Sequence, residues 1–111
     1  MQLVKVNEYS TMLNGIRNGN RHAILKFHGS HCYRSKQFKD RLIKRVDLQI
    51  DVYEIDFFEH RDISRLLGVE IIPTALLLEN GIPISRMDGL YGADDFLDFV
   101  ADVVLHGKNP L

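Results

Sequence analysis

A single cysteine, Cys32, lies in the stretch HCYRSK over residues 31–36. It follows His31 and precedes Arg34 and Lys36. Ser35 stands three residues on, where a second cysteine would complete a Cys-x-x-Cys pair. A cysteine is nucleophilic as its thiolate, and nearby positive charge stabilises that anion. Arg34, Lys36 and a protonated His31 all supply such charge. At i+3 on a helix, Ser35 shares a face with Cys32 and can donate a hydrogen bond to the sulfur. It cannot displace a thiol bound there. The chemistry permitted is attack on a disulfide by one sulfur, leaving a mixed disulfide that persists until an outside thiol arrives. The competing reading is an inert cysteine buried as a small hydrophobe. His28, His31 and Cys32 are badly spaced for structural zinc, and no cysteine pair supports such a site. No metal and no cofactor is expected.

The elements that must position these residues follow from apolar periodicity. LVKV (3–6) reads as a short strand. Asn7 is placed to cap a helix carrying Tyr9, Met12, Leu13 and Ile16 on one face, and NGN (18–20) ends it. HAILKF (22–27) reads as a largely buried strand. Residues 33–46 read as a helix with Phe38, Leu42 and Val46 along one stripe. DVYEIDFF (51–58) is a strand, and RDISRLLG (61–68) is a helix ended by Gly68. TALLLENG (74–81) is a strong strand whose Asn-Gly closes a hairpin into PISRMDG (83–89). GADDFLDFVADVVLHG (92–107) is a helix, with Asp94 and Asp95 at its favourable end and Phe96, Phe99, Val100, Val103 and Val104 inward. The order β-α-β-α-β-α-β-β-α predicts an α/β fold: a mixed sheet with helices on both faces.

The chain has 111 residues, enough for one core without disulfides or metals, so residues 1–111 are read as one domain. A net charge of −1 gives no general attraction to nucleic acid or to an anionic membrane. One cysteine cannot form an internal disulfide, so an oxidised secreted scaffold is not expected. The segment MQLVKVNEYS has no apolar signal-like run, and no stretch has the length of a membrane span. A cytoplasmic location is expected. The oligomeric state is left open.

With these elements in place, the chain resembles the thioredoxin family over nearly its whole length. AILKFHGSHCYRSK is similar to that family's strand-then-active-site segment, ending Asp-Phe-Trp-Ala-x-Trp-Cys-Gly-Pro-Cys-Lys. GVEIIPTALLLENG resembles its cis-proline segment, Gly-Val-x-x-x-Pro-Thr followed by apolar residues and a glycine. Gly89 fits the glycine between the last strand and the last helix. The departures cluster at the chemistry. His28 and His31 stand at the two tryptophan positions, Tyr33-Arg34 at Gly-Pro, and Ser35 at the resolving cysteine. Lys26 replaces a buried Asp that moves protons in the family, and Val52 stands at the position of that Asp's lysine partner.

The resemblance implies a thioredoxin fold with Cys32 opening the second helix. The helix dipole and free N–H groups there favour a thiolate. It implies a cis bond before Pro73 and a loop, Ile72-Pro73-Thr74, that faces the cysteine and pairs with an extended substrate, with Gly89 on the same substrate-binding surface. The expected activity is thiol–disulfide exchange through one cysteine, or the holding of client thiols as mixed disulfides, with protein thiols or disulfides, or glutathione, as partners. The alternative, from a different class, is a binding or assembly module that keeps the fold and has lost redox turnover. Lys26, set between Leu25 and Phe27, requires a partner if buried, and Glu54 or Asp56 on the neighbouring strand is expected to supply it; a snorkelling surface lysine is the other reading. The basic second helix, with Arg34, Lys36, Lys39, Arg41, Lys44 and Arg45, is read either as a solvated face or as a patch for an anionic partner.

Overall fold

A computed structural model describes residues 1–107. Residues 108–111 of the expected 1–111 domain lie outside the described residues. The elements are β1 (Gln2–Lys5), α1 (Tyr9–Asn18), β2 (His22–His28), α2 (Tyr33–Lys44), β3 (Asp51–Asp56), α3 (Arg61–Leu66), β4 (Thr74–Glu79), β5 (Ile82–Asp88) and α4 (Ala93–His106). Their order is the expected one.

The five strands form one sheet in the order β1-β3-β2-β4-β5. β3 runs parallel to both β1 and β2, while β4 is antiparallel to β2 and β5 antiparallel to β4. Parallel neighbours require crossovers, which α1 and α2 provide. The side-chain period of 2 divides the core in two. Ile24, Val52, Ala75 and Leu77 face α2 and α4, where they meet Phe38, Leu42, Phe96 and Val100. Leu25, Phe27, Tyr53, Ile55 and Leu76 face α1 and α3, where they meet Met12, Ile16 and Ile63. β2, the middle strand, is covered on both faces. This accounts for its near-continuous apolar run.

Several boundaries differ from the sequence reading, each for a local reason. α1 is capped by Glu8, not Asn7, and no side chain caps it. β1 ends at Lys5, and Val6 beyond it donates its N–H to the Glu54 carbonyl at 2.9 Å. β3 stops at Asp56, because the Asp56 carboxylate accepts the N–H groups of Phe58 and Glu59 at 2.9 and 3.1 Å and turns the chain. α2 ends at Lys44, so Val46 leaves the stripe and is 83% exposed. Arg45 bends the chain there, with its guanidinium on Asp47 and Asp98, and Leu48 takes the core position instead. In α4 the inward face also includes Ala93, Leu97 and Ala101, while Phe99 and Val104 are only partly covered. No helix of the described residues is long and apolar enough to cross a membrane.

The β4–β5 hairpin closes through Asn80 and Gly81, both at positive φ, 52° and 81°. This is the handedness that a two-residue turn between twisted strands requires. A Cβ on Gly81 would meet only Ile16 Cγ2, at 3.9 Å, so the cost of a side chain there is conformational, not steric. Gly81→Ala is expected to lower stability by about 1–2 kcal/mol. The loss should appear as a lower urea midpoint at unchanged slope.

Candidate functional site

Cys32 is the N-cap residue of α2, with extended backbone at φ −94° and ψ 111°. Its N–H donates to the Gly29 carbonyl at 3.2 Å, and its own carbonyl accepts from Lys36 N–H, also at 3.2 Å. The sulfur therefore sits where the first turn of the helix leaves N–H groups unpaired. Cys32 is partly exposed.

Ser35 lies one turn on and is only 3% exposed, and its Oγ has no hydrogen-bond partner. Yet the Ser35 hydroxyl is the leading influence on the Cys32 thiol, which is held below the ordinary cysteine range. Burial opposes that effect. The backbone N–H groups of Ser35 and Arg34 and the charge of Arg34 add to it. The orphaned hydroxyl and its strong influence are compatible. A neutral thiol is a weak acceptor, and ionisation turns it into one the hydroxyl can use.

Beneath the cysteine, Lys26 is 1% exposed and donates to Glu54 Oε2 at 2.7 Å. Lys26 thus has the buried partner expected of it, and Glu54 is chosen over Asp56 by register. Lys26 pairs directly with Glu54 across β2 and β3, whereas Asp56 lies beside His28 and is spent on its own turn. Lys39 of α2 reaches the same carboxylate at 3.3 Å. Burial pushes the Lys26 ammonium down from the ordinary lysine value, against the hydrogen bond and charge of Glu54. Burial also works against ionising Glu54, but Lys26 and Lys39 outweigh it and hold the carboxyl below its usual range. His28 is lowered by burial first and then by the charge of Lys26, so it favours the neutral form. Val52 is wholly buried among apolar neighbours.

Cys32, Ser35, Lys26, Glu54, Lys39 and His28, but not Val52, share one cavity of about 180 Å³. Cys32, Ser35 and Lys36 line its α2 side, Lys26 and Glu54 its floor, and Gly29 and Ser30 its rim. Arg34 and Gly89 do not face it; they line a separate groove with Arg41, Leu90 and Tyr91. His31 is exposed and lines neither space. Gly29 and Ser30 escaped the sequence reading. Lys39 was legible only as one of many helix cations, and its i+4 relation to Ser35 was the available signal. Among the described residues, no group of three His, Cys, Asp or Glu side chains is placed to hold a metal.

The Ile72–Pro73 peptide bond is cis. The Pro73 carbonyl accepts from Gly89 N–H at 2.7 Å, and Thr74 Oγ1 donates to the Ile71 carbonyl at 2.7 Å. Pro73 and Thr74 are buried, and Ile72 is half-buried with no backbone hydrogen bond of its own among the described residues. This loop lies against the cysteine loop. A Cβ on Gly29 would come within 2.8 Å of Ile72 Cδ1 and 3.0 Å of Phe58 Cε2.

A central β2 that feeds a helix capped by the cysteine, set against a cis-proline loop on a five-stranded mixed sheet, is the thioredoxin fold. The sequence profile of the thioredoxin-like domain matches residues 9–103, and the chain belongs to that family. It is 32% identical over 104 residues to thioredoxin of Borreliella burgdorferi, covering 90% of this chain and 88% of that protein. Its fold is similar to mitochondrial thioredoxin 3 of Saccharomyces cerevisiae, with a TM-score of 0.78 at 20% identity over 90% of this chain and 94% of the other. It is similar also to a thioredoxin variant of Halobacterium salinarum, with a TM-score of 0.75 at 19% identity over 89% and 88% of the two chains.

The buried pair makes a pH-dependent contribution. Glu54 has a folded pKa below its ordinary 4.5, so its stabilisation is complete above that value and is lost as pH falls through the folded pKa. Glu54→Leu strips Lys26 of its counter-charge and should cost about 3 kcal/mol at pH 7. The double replacement with Lys26→Met should recover most of it. Urea midpoints between acid and neutral pH check both statements, and the acid slope should flatten in the double variant.

Proposed function

We propose that this chain is a thioredoxin-like thiol–disulfide exchange protein that works through one sulfur, Cys32. The observation that carries this reading is the orphaned, buried Ser35 hydroxyl in the cavity of a cysteine at a helix N-terminus. A donor without a partner costs stability unless something fills its need, and a thiolate does. The Cys32 thiolate attacks a client disulfide; a new S–S bond forms, the client bond breaks, and the departing sulfur leaves with the electron pair. Ser35 has no second thiol to offer, so release waits for an external thiolate to attack the client sulfur of the mixed disulfide; a new S–S bond forms there, the bond to Cys32 breaks, and Cys32 leaves as its thiolate. Such a cycle suits a compartment that keeps thiols reduced, the cytoplasm among them.

Arg34 and Lys36 stabilise the thiolate with Ser35, and His31 adds charge when protonated. Ile72-Pro73-Thr74, tethered through Gly89, is the surface for an extended client, and the unpaired Ile72 backbone is suited to strand addition. Clients are protein thiols or disulfides, or glutathione. The second reading, a binding module without redox turnover, draws support from Lys26, which puts a cation where the family has a proton-moving acid.

Two experiments divide these readings. The rate of Cys32 alkylation should rise with pH through a pKa below the ordinary 9.0, and Ser35→Ala should move that profile upward while leaving stability within about 1 kcal/mol, because the hydroxyl has no bond to lose. Reaction only on unfolding would end the redox account. Cys32→Ala should abolish covalent capture of clients; clients held equally well by that variant would favour the binding module.

A further inference from the structure

The cavity beside Cys32 has a composition that thiolate stabilisation alone does not require. Lys26, Lys36 and Lys39 line it against one carboxylate, Glu54, which is already bound by two of the three. Lys36 is exposed and has no acidic partner among the described residues. With all three lysines charged, the lining stays net positive even when Cys32 is a thiolate. The whole chain, by contrast, carries −1, so its long-range field does not draw anions. Ser35, only 3% exposed and with an unpartnered buried hydroxyl, lines the same space. At about 180 Å³ the cavity holds roughly six waters' worth of volume. That admits a short acid-bearing chain and not a folded polypeptide.

We propose that this cavity is a carboxylate subsite, through which Cys32 selects small disulfides that carry a carboxylate near the reacting sulfur. The inference rests on Cys32 being a reactive thiol. In the exchange the carboxylate lies against Lys36 and Lys39, and the Cys32 thiolate attacks the nearer sulfur. One S–S bond forms and one breaks, and the released acid-bearing thiolate takes its proton from water. The disulfide itself is the only oxidant required. Lys26 serves as a positioning residue: by engaging Glu54 it holds the one carboxylate of the lining away from an incoming anion.

The test uses three disulfides of similar size and different charge: 2,2′-dithiodiacetate, bis(2-hydroxyethyl) disulfide and cystamine. Rates of mixed-disulfide formation at Cys32 are followed by mass spectrometry and compared with those of a neutral cysteine amide. The ratio of the anionic to the neutral probe cancels any change in thiolate fraction. It should exceed the ratio for the free amide by about tenfold, as expected of a cleft lined by one sign of charge. It should fall toward the free value in the Lys36→Gln, Lys39→Gln double variant. Lys44→Gln, about 12 Å along the same helix from Lys36, should leave it unchanged. A ratio equal to that of the free amide, or an equal drop in Lys44→Gln, would overturn the subsite while leaving Cys32 a working thiol. No reaction with even the neutral probe would overturn the reactive thiol and the subsite with it.

Discussion

Between its half-buried ends β2 is closed to solvent on both faces and has no free edge, and the rest of the molecule is arranged around that fact. β3 and β4 take up its backbone hydrogen bonds, α2 and α4 cover one side, and α1 and α3 cover the other. A strand so enclosed has to be apolar, and His22–His28 is apolar except at its ends and at Lys26. One ammonium in that position imposes conditions on its neighbours. It requires a carboxylate in register on β3, and the carboxylate in turn draws Lys39 from α2. The ion cluster therefore ties sheet to helix directly below the cysteine.

That cluster inverts the sign of the site relative to the pattern this chain resembles. Where the family has an acid, a base stands, and the acid has moved to the adjoining strand. An acid beneath a thiol raises the cost of the thiolate by repulsion and can carry its proton away. A lysine–glutamate–lysine cluster with surplus positive charge adds no such repulsion, and the lowering of the Cys32 thiol comes from Ser35 and Arg34 at the helix end. The replacement of the second cysteine by Ser35 agrees with this. A site without a resolving thiol has no need to deprotonate one.

Periodicity made the element order, both core faces and the hairpin legible, because each rests on short-range patterns such as the Tyr9–Ile16 stripe and Asn80-Gly81. The ends of elements were less so. Val46 continues the α2 stripe on paper, but the Arg45 turn, fixed by Asp98 from a distant helix, decides otherwise. Asp56 reads as one more strand residue until its carboxylate is seen capping the following turn. At the site, Cys32, Ser35 and Lys36 were legible from spacing on one helix. That Arg34 and Gly89 open on a different groove, and that Lys39 joins the cavity, depends on how α2 lies across the sheet. No local pattern encodes that.

The unpartnered hydroxyl of Ser35 also bears on how firmly Cys32 keeps what it binds. When the sulfur is anionic, the hydroxyl and the first-turn N–H groups have an acceptor. When the sulfur is capped by a client, that negative charge is gone and the hydroxyl returns to having none. The folded protein is therefore better satisfied with Cys32 free than with Cys32 occupied, so the same contacts that prepare the sulfur to attack make it a good leaving group. On the single-sulfur cycle proposed above, bonds to Cys32 should be quickly made and easily surrendered, a property suited to passing sulfur partners along and ill-suited to storing them.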